Sequence, residues 1–163
     1  MRDWSLRPKE VAHLLNPAFC AILLRESVVG YQKETTRGMP YPLSFLVLPI
    51  VLHAPTRNAL PRTIAKKLHA WIEEKQFARV RFVERVRALV SHTKESIIFA
   101  CDGRILEIMD SGVLAPLPPR QPKPSWEHNS ESYFCNKKAQ FVGRWFGHSG
   151  DLATIFAIWG IQP

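Results

Sequence analysis

Six histidines, three cysteines and one polar tail motif are the residues in this chain that could do chemistry. A structural zinc site needs four soft ligands at characteristic spacings. The nearest mixed pairs, His128 with Cys135 and His92 with Cys101, are too sparse for that, so no metal site is expected. The tail Gly147-His148-Ser149-Gly150-Asp151 places three triad residue types side by side. A working triad gathers its members in space from separated segments. The tail therefore reads as a polar turn in which Ser149 or Asp151 caps the last helix. Glu73-Glu74 are helical neighbours whose side chains diverge, so they do not form a catalytic carboxylate pair. His53 and His69 sit among apolar residues and read as hydrogen-bonded core or boundary histidines. No GxSxG, GxxxxGK[ST] or GxGxxG is present, so neither a nucleophile elbow nor a phosphate loop is expected. The reading is of no catalytic residue, no cofactor and no small-molecule substrate.

The positive signal is basic charge. The chain has 163 residues, 22 Lys and Arg against 14 Asp and Glu, and a formal charge of +8. Of this, the stretch from Arg62 to Arg104 carries ten cations and five carboxylates. Lys66, Lys67, Arg79, Arg81, Arg85, Arg87, Lys94 and Arg104 are the candidate nucleic-acid contacts, since Arg and Lys make most phosphate contacts. Protein docking is the competing use of the same segment. Trp126, Tyr133, Trp145 and Trp159 are the candidate partner-interface residues, because large aromatics dominate interface energetics.

These side chains must be positioned by mostly helical elements. The apolar fraction is 46%, ordinary for a globular domain, and a chain of this size buries roughly 70% of its unfolded surface without metals or disulfides. Cys20, Cys101 and Cys135 form no CxxC pair, which fits a reducing, cytoplasmic setting. Charges at Arg2, Asp3, Arg7, Lys9 and Glu10 interrupt any signal-peptide pattern.

A short helix is expected over Arg7 to Leu15. Asn16-Pro17 reads as a cap and first-turn proline opening a helix to about Tyr31. Gln32 to Pro42 reads as loop. Leu43 to His53 is a buried segment, helix or strand, too short to span a membrane; Pro49 cannot donate to a strand ladder, which favours helix. Helices are expected over Arg62 to Lys75, over Phe77 to Val90, and from Ser91 or Thr93 to Cys101. Two short strands, Arg104 to Met109 and Val113 to Leu117, flank Asp110-Ser111-Gly112. The fold class expected is mainly α with a small β-hairpin. Residues 1–61 form an N-terminal helical region, 62–117 a winged helix-turn-helix-like region, 118–130 a Pro-rich linker and 131–163 a C-terminal helical arm, together one compact unit.

The chain resembles the middle component of bacterial three-component ABC ATPase systems. The likeness runs from about Leu15 to Gln162. It rests on the order and spacing of Asn16-Pro17-Ala18-Phe19, the segment Pro42 to Thr56, Leu60-Pro61, His69-Ala70-Trp71, the arginine-rich helix with Thr93, Arg144-Trp145-Phe146 and Ile155 to Gly160. The resemblance implies a non-catalytic adaptor encoded beside an ABC or SMC-type ATPase and a nuclease-like effector subunit. It also implies a role in defence of the Lamassu type, with DNA reached through the complex. The competing functions are a free-standing winged-helix DNA-binding regulator and a small hydrolase using His148 or His128.

Overall fold

The computed structural model describes residues 15–162, so the helix expected over Arg7 to Leu15 lies outside the described residues except for its last position. Helix α1, Pro17–Thr35, begins as the sequence dictates. Asn16 Oδ1 accepts the Ala18 N–H at 2.9 Å with Pro17 in the first turn. The helix runs past Tyr31 to Thr35, whose hydroxyl donates back to the Tyr31 carbonyl at 3.0 Å. Residues Met39–Pro40, read as loop from Gly38, Pro40 and Pro42, form strand β1. A 3-10 turn at Tyr41–Leu43 leads into α2, Ser44–Val51. The ambiguous apolar segment is therefore mostly a helix, buried at every position but the half-buried Phe45, with Pro49 inside it. A proline there costs the Phe45 carbonyl its ladder donor, and burial of Leu46, Val47, Leu48, Ile50 and Val51 offsets that loss. Helix α3, Ala54–Ala59, follows at once.

The middle of the chain departs from expectation. Arg62 to Lys67 lies in turns, and helix α4 covers only Leu68–Glu74. The Lys66 carbonyl accepts the Trp145 indole N–H at 2.7 Å, a tertiary bond that takes it out of a helical ladder. Gln76–Arg79 is a 3-10 turn, Arg81 adopts φ +54, and the helix expected from Phe77 starts only at Phe82. It then continues unbroken as α5, Phe82–Asp102. The expected restart at Ser91 or Thr93 does not occur. Phe82, Val86, Leu89, Thr93, Ile97 and Ala100 fall at helical spacing on one inward stripe, while Val80, ahead of the helix and within the span expected to be helical, is 61% exposed. Helix, 3-10 turn and helix thus stand where three helices were expected before the hairpin.

Strands β2, Leu106–Ile108, and β3, Val113–Pro116, form that hairpin. Strand β1 adds a third, giving an antiparallel sheet in the order β1-β3-β2, with Met39 opposite Leu114 and Ile108 opposite Leu114 on the other side. The Pro-rich segment 118–130 is irregular. Helix α6, Glu131–His148, is capped by Ser130, and α7, Leu152–Trp159, by Asp151, whose carboxylate accepts the Thr154 N–H at 2.8 Å. The Ser149 hydroxyl donates to the Trp145 carbonyl, so the tail motif serves helix ends.

One core runs from Cys20 to Trp159. Helix α6 lies along α1 at close range, with Gly30 and Gly143 at the crossing. At the other end Trp71, Trp145, Trp159 and Phe82 pack ring on ring. Trp71 meets Trp145 edge-on at 5.2 Å, and Phe82 stacks on Trp159 at 4.2 Å. Among the described residues no helix is long and apolar enough to cross a membrane.

Candidate functional site

The starts of α1, α5 and α6 and the end of α2 surround an open groove of about 760 Å³. The sequence explains its walls. Helix α1 turns Phe19 and Ile22 toward it, α2 and the residue after it contribute Leu48 and Leu52, α5 contributes Ala88 and Leu89, and Trp126 of the Pro-rich segment closes one side. Trp126 is held half-buried, edge-on to Phe19 at 5.4 Å.

One end of the groove is polar and cationic. Arg57 is 5% exposed and ties three elements together. Its Nη1 donates to the Val51 carbonyl at 2.8 Å and to Cys135 Sγ at 3.2 Å, and its Nη2 pairs with Glu131 at 3.0 Å. Arg85 donates to the Val80 and Ala78 carbonyls, both at 2.9 Å, and lies over the Phe82 ring at 5.4 Å. It therefore secures the turn ahead of α5. His53 caps α3, with Nδ1 2.7 Å from the Thr56 hydroxyl. Burial pushes the Cys135 thiol up more strongly than Arg57 draws it down, so the group in this groove is a thiol at neutral pH and not a nucleophilic thiolate.

Burial holds the His53 imidazole below its usual range, with the charges of Arg85 and Arg57 acting in the same direction. Unfolded, it takes up a proton near about pH 6.5. The folded state then binds fewer protons than the unfolded state just below that pH, so this contribution is complete above it and is lost as the solution is acidified toward the folded pKa. His53→Asn keeps a side-chain acceptor for the Thr56 N–H. Urea unfolding of both proteins across this range should show a steeper loss on acidification for the wild type. Identical pH slopes would contradict the assignment.

The eight candidate phosphate contacts do not share one face. Lys66 is ion-paired with Glu74, Arg85 is turned inward, and the exposed Arg79 has its guanidinium against Gly160. Lys67 is exposed at the start of α4, and Arg81 is exposed just ahead of α5. Arg87 and Lys94, seven residues apart, share the outer face of α5. Arg104 stands beyond its far end, about 30 Å from Arg81 at 1.5 Å per residue. Of the four interface aromatics, Trp126 lines the groove and Tyr133 lies half-buried against His128, ring centroids 4.6 Å apart. Trp145 and Trp159 are 0% and 1% exposed, which corrects their reading as interface residues: they are core, because α6 and α7 turn their apolar stripes onto α4 and α5. Sequence reasoning missed Arg57 and Glu131. The chain signals neither, because their pairing bridges 74 residues.

A family model described as ABC-three component (ABC-3C) system Middle Component 3 matches residues 4–163. No curated protein and no solved structure matches. The anchors noted in the sequence, from Asn16-Pro17 through the α2 segment to Arg144-Trp145-Phe146, all fall within that span. The chain belongs to the Middle Component 3 family of ABC-three component systems.

Proposed function

We propose that this protein is a non-catalytic, cytoplasmic adaptor. It sits on the ABC or SMC-type ATPase subunit of its system and links that ATPase to a nuclease-like effector subunit, in bacterial defence of the Lamassu type against phage or plasmids. Family membership across residues 4–163 carries this reading. The groove supplies a place for docking. Its apolar wall of Phe19, Leu48, Leu52, Leu89 and Trp126 fits an apolar segment. Its cationic end, two arginines against one glutamate, selects a segment of the ATPase subunit that also carries a carboxylate.

Ala88 is an exposed position of α5 on the groove wall, so Ala88→Trp fills the groove while leaving the core intact. Co-expressed with the ATPase of its own system, the variant should bind at least about tenfold more weakly, the equivalent of about 1.4 kcal/mol, with unchanged Tm. Wild-type affinity in that variant would contradict docking in the groove.

A further inference from the structure

A second hollow, about 430 Å³, lies between α1, the end of α5 and the Pro-rich segment. Four cations line it, Arg25, Arg104, Arg120 and Lys123, with Glu26 as the one carboxylate. Glu26 is 5% exposed and already accepts from Arg25 at 3.3 Å, Lys123 at 3.2 Å and Gln140 at 3.3 Å. Its charge is therefore satisfied without Arg104 or Arg120, and neither arginine has an ion pair or side-chain hydrogen bond among the described residues. A cleft walled by one sign of charge concentrates counter-ions of the other.

Two further features narrow the ligand. Arg104 holds φ +52, with its N–H on the Cys101 carbonyl and the Ile105 N–H on the Ala100 carbonyl. This is the left-handed position after a helix that glycine usually fills. Arg104 therefore lines the hollow from a backbone conformation that favours glycine. Phe99, 44% exposed, supplies a flat ring on the wall, and Pro119, Pro122 and Pro124 stiffen the opposite side.

We propose that this hollow binds a phosphate joined to a nucleobase, the phosphate on Arg104 and Arg120 and the base on Phe99. Arginine contacts to phosphate and stacking on an exposed aromatic are the means by which single strands are held without sequence preference. The same chemistry is offered by a nucleic-acid strand and by a free nucleotide. The site is separate from the docking groove, so either can fail without the other.

The full chain would be titrated into fluorescent 5′-phosphorylated oligo-dT, with competition by dTMP, inorganic phosphate and poly-glutamate. Saturable binding is expected. Displacement by dTMP would mark a nucleotide pocket, and resistance to dTMP a strand site; both support the proposal. Arg104→Gly suits the backbone there and should keep or raise Tm while weakening binding at least about tenfold. Phe99→Ser should weaken oligo-dT at least about fivefold, and Lys75→Ser, exposed at the end of α4 and outside the hollow's lining, should leave it within about twofold. Absence of saturable binding, displacement by poly-glutamate as effective as by unlabelled oligo-dT, or Arg104→Gly and Arg120→Ser variants that bind like the wild type would overturn the proposal.

Discussion

Gly143→Ala should unfold this protein or cost it at least about 3 kcal/mol, the upper end for overpacking a core. In an ordinary helix interior the same change is stabilising by about 1 kcal/mol, so the expected sign is reversed. The reason lies in the crossing of α1 and α6. A Cβ built on Gly143 would stand 1.8 Å from the Ser27 carbonyl oxygen and 2.8 Å from the Ser27 Cα. One built on Gly30, across the interface, would stand 2.2 Å from the Gln140 carbonyl oxygen. These neighbours are backbone, so no rotamer change relieves the overlap and the helices themselves must separate. Separation would also strain the Arg144–Glu34 pair at 2.7 Å along the same interface. Urea unfolding of Gly143→Ala and Gly30→Ala measures the effect. A stabilised Gly143→Ala protein would show that the two helices do not meet this closely.

Trp145→Ala should cost about 3–5 kcal/mol, the range for emptying a large aromatic site in a core. Trp145 is fully buried, meets Trp71 edge-on, and donates its indole N–H to the Lys66 carbonyl. Trp145→Phe should cost less, keeping part of the ring packing but leaving that carbonyl without its donor, a loss of about 1–3 kcal/mol. The experiment separates the two roles a tryptophan on a helix can have. A docking residue would leave Tm unchanged and abolish complex formation. A core residue lowers Tm, and at temperatures where the variant is folded it leaves partner affinity near that of the wild type. Denaturant unfolding beside a binding titration gives both readings, and an unchanged Tm would contradict the core assignment.

What the sequence shows of this fold is what local physics decides. Asn16-Pro17 opens α1 because cap and first-turn proline act within four residues. The turn at Asp110-Ser111-Gly112 forms the expected hairpin for the same reason. The family, too, is legible, since its anchors lie in order along the chain. Long-range effects hide the rest. Strand β1 is two residues long and exists because β3 pairs with it. Helix α5 runs through Ser91 and Thr93 because its buried stripe outweighs their preference for helix starts, and the Ser96 hydroxyl bonds back to His92 inside the helix. Trp145 and Trp159 look like any exposed aromatic until α4 and α5 are placed against them. The basic hollow draws Arg25, Arg104 and Arg120 from three distant segments. No spacing rule along the chain links them.

The most direct test of the adaptor reading is the composition of the particle that carries this protein. The chain would be tagged within its complete operon, purified at moderate salt, and its assembly weighed intact by native mass spectrometry with each subunit identified. The account predicts a stoichiometric complex with an ABC or SMC-type ATPase and a third, effector-bearing subunit. Recovery of this chain alone, as monomer or homodimer, with the ATPase and third subunit expressed but unbound, would contradict it.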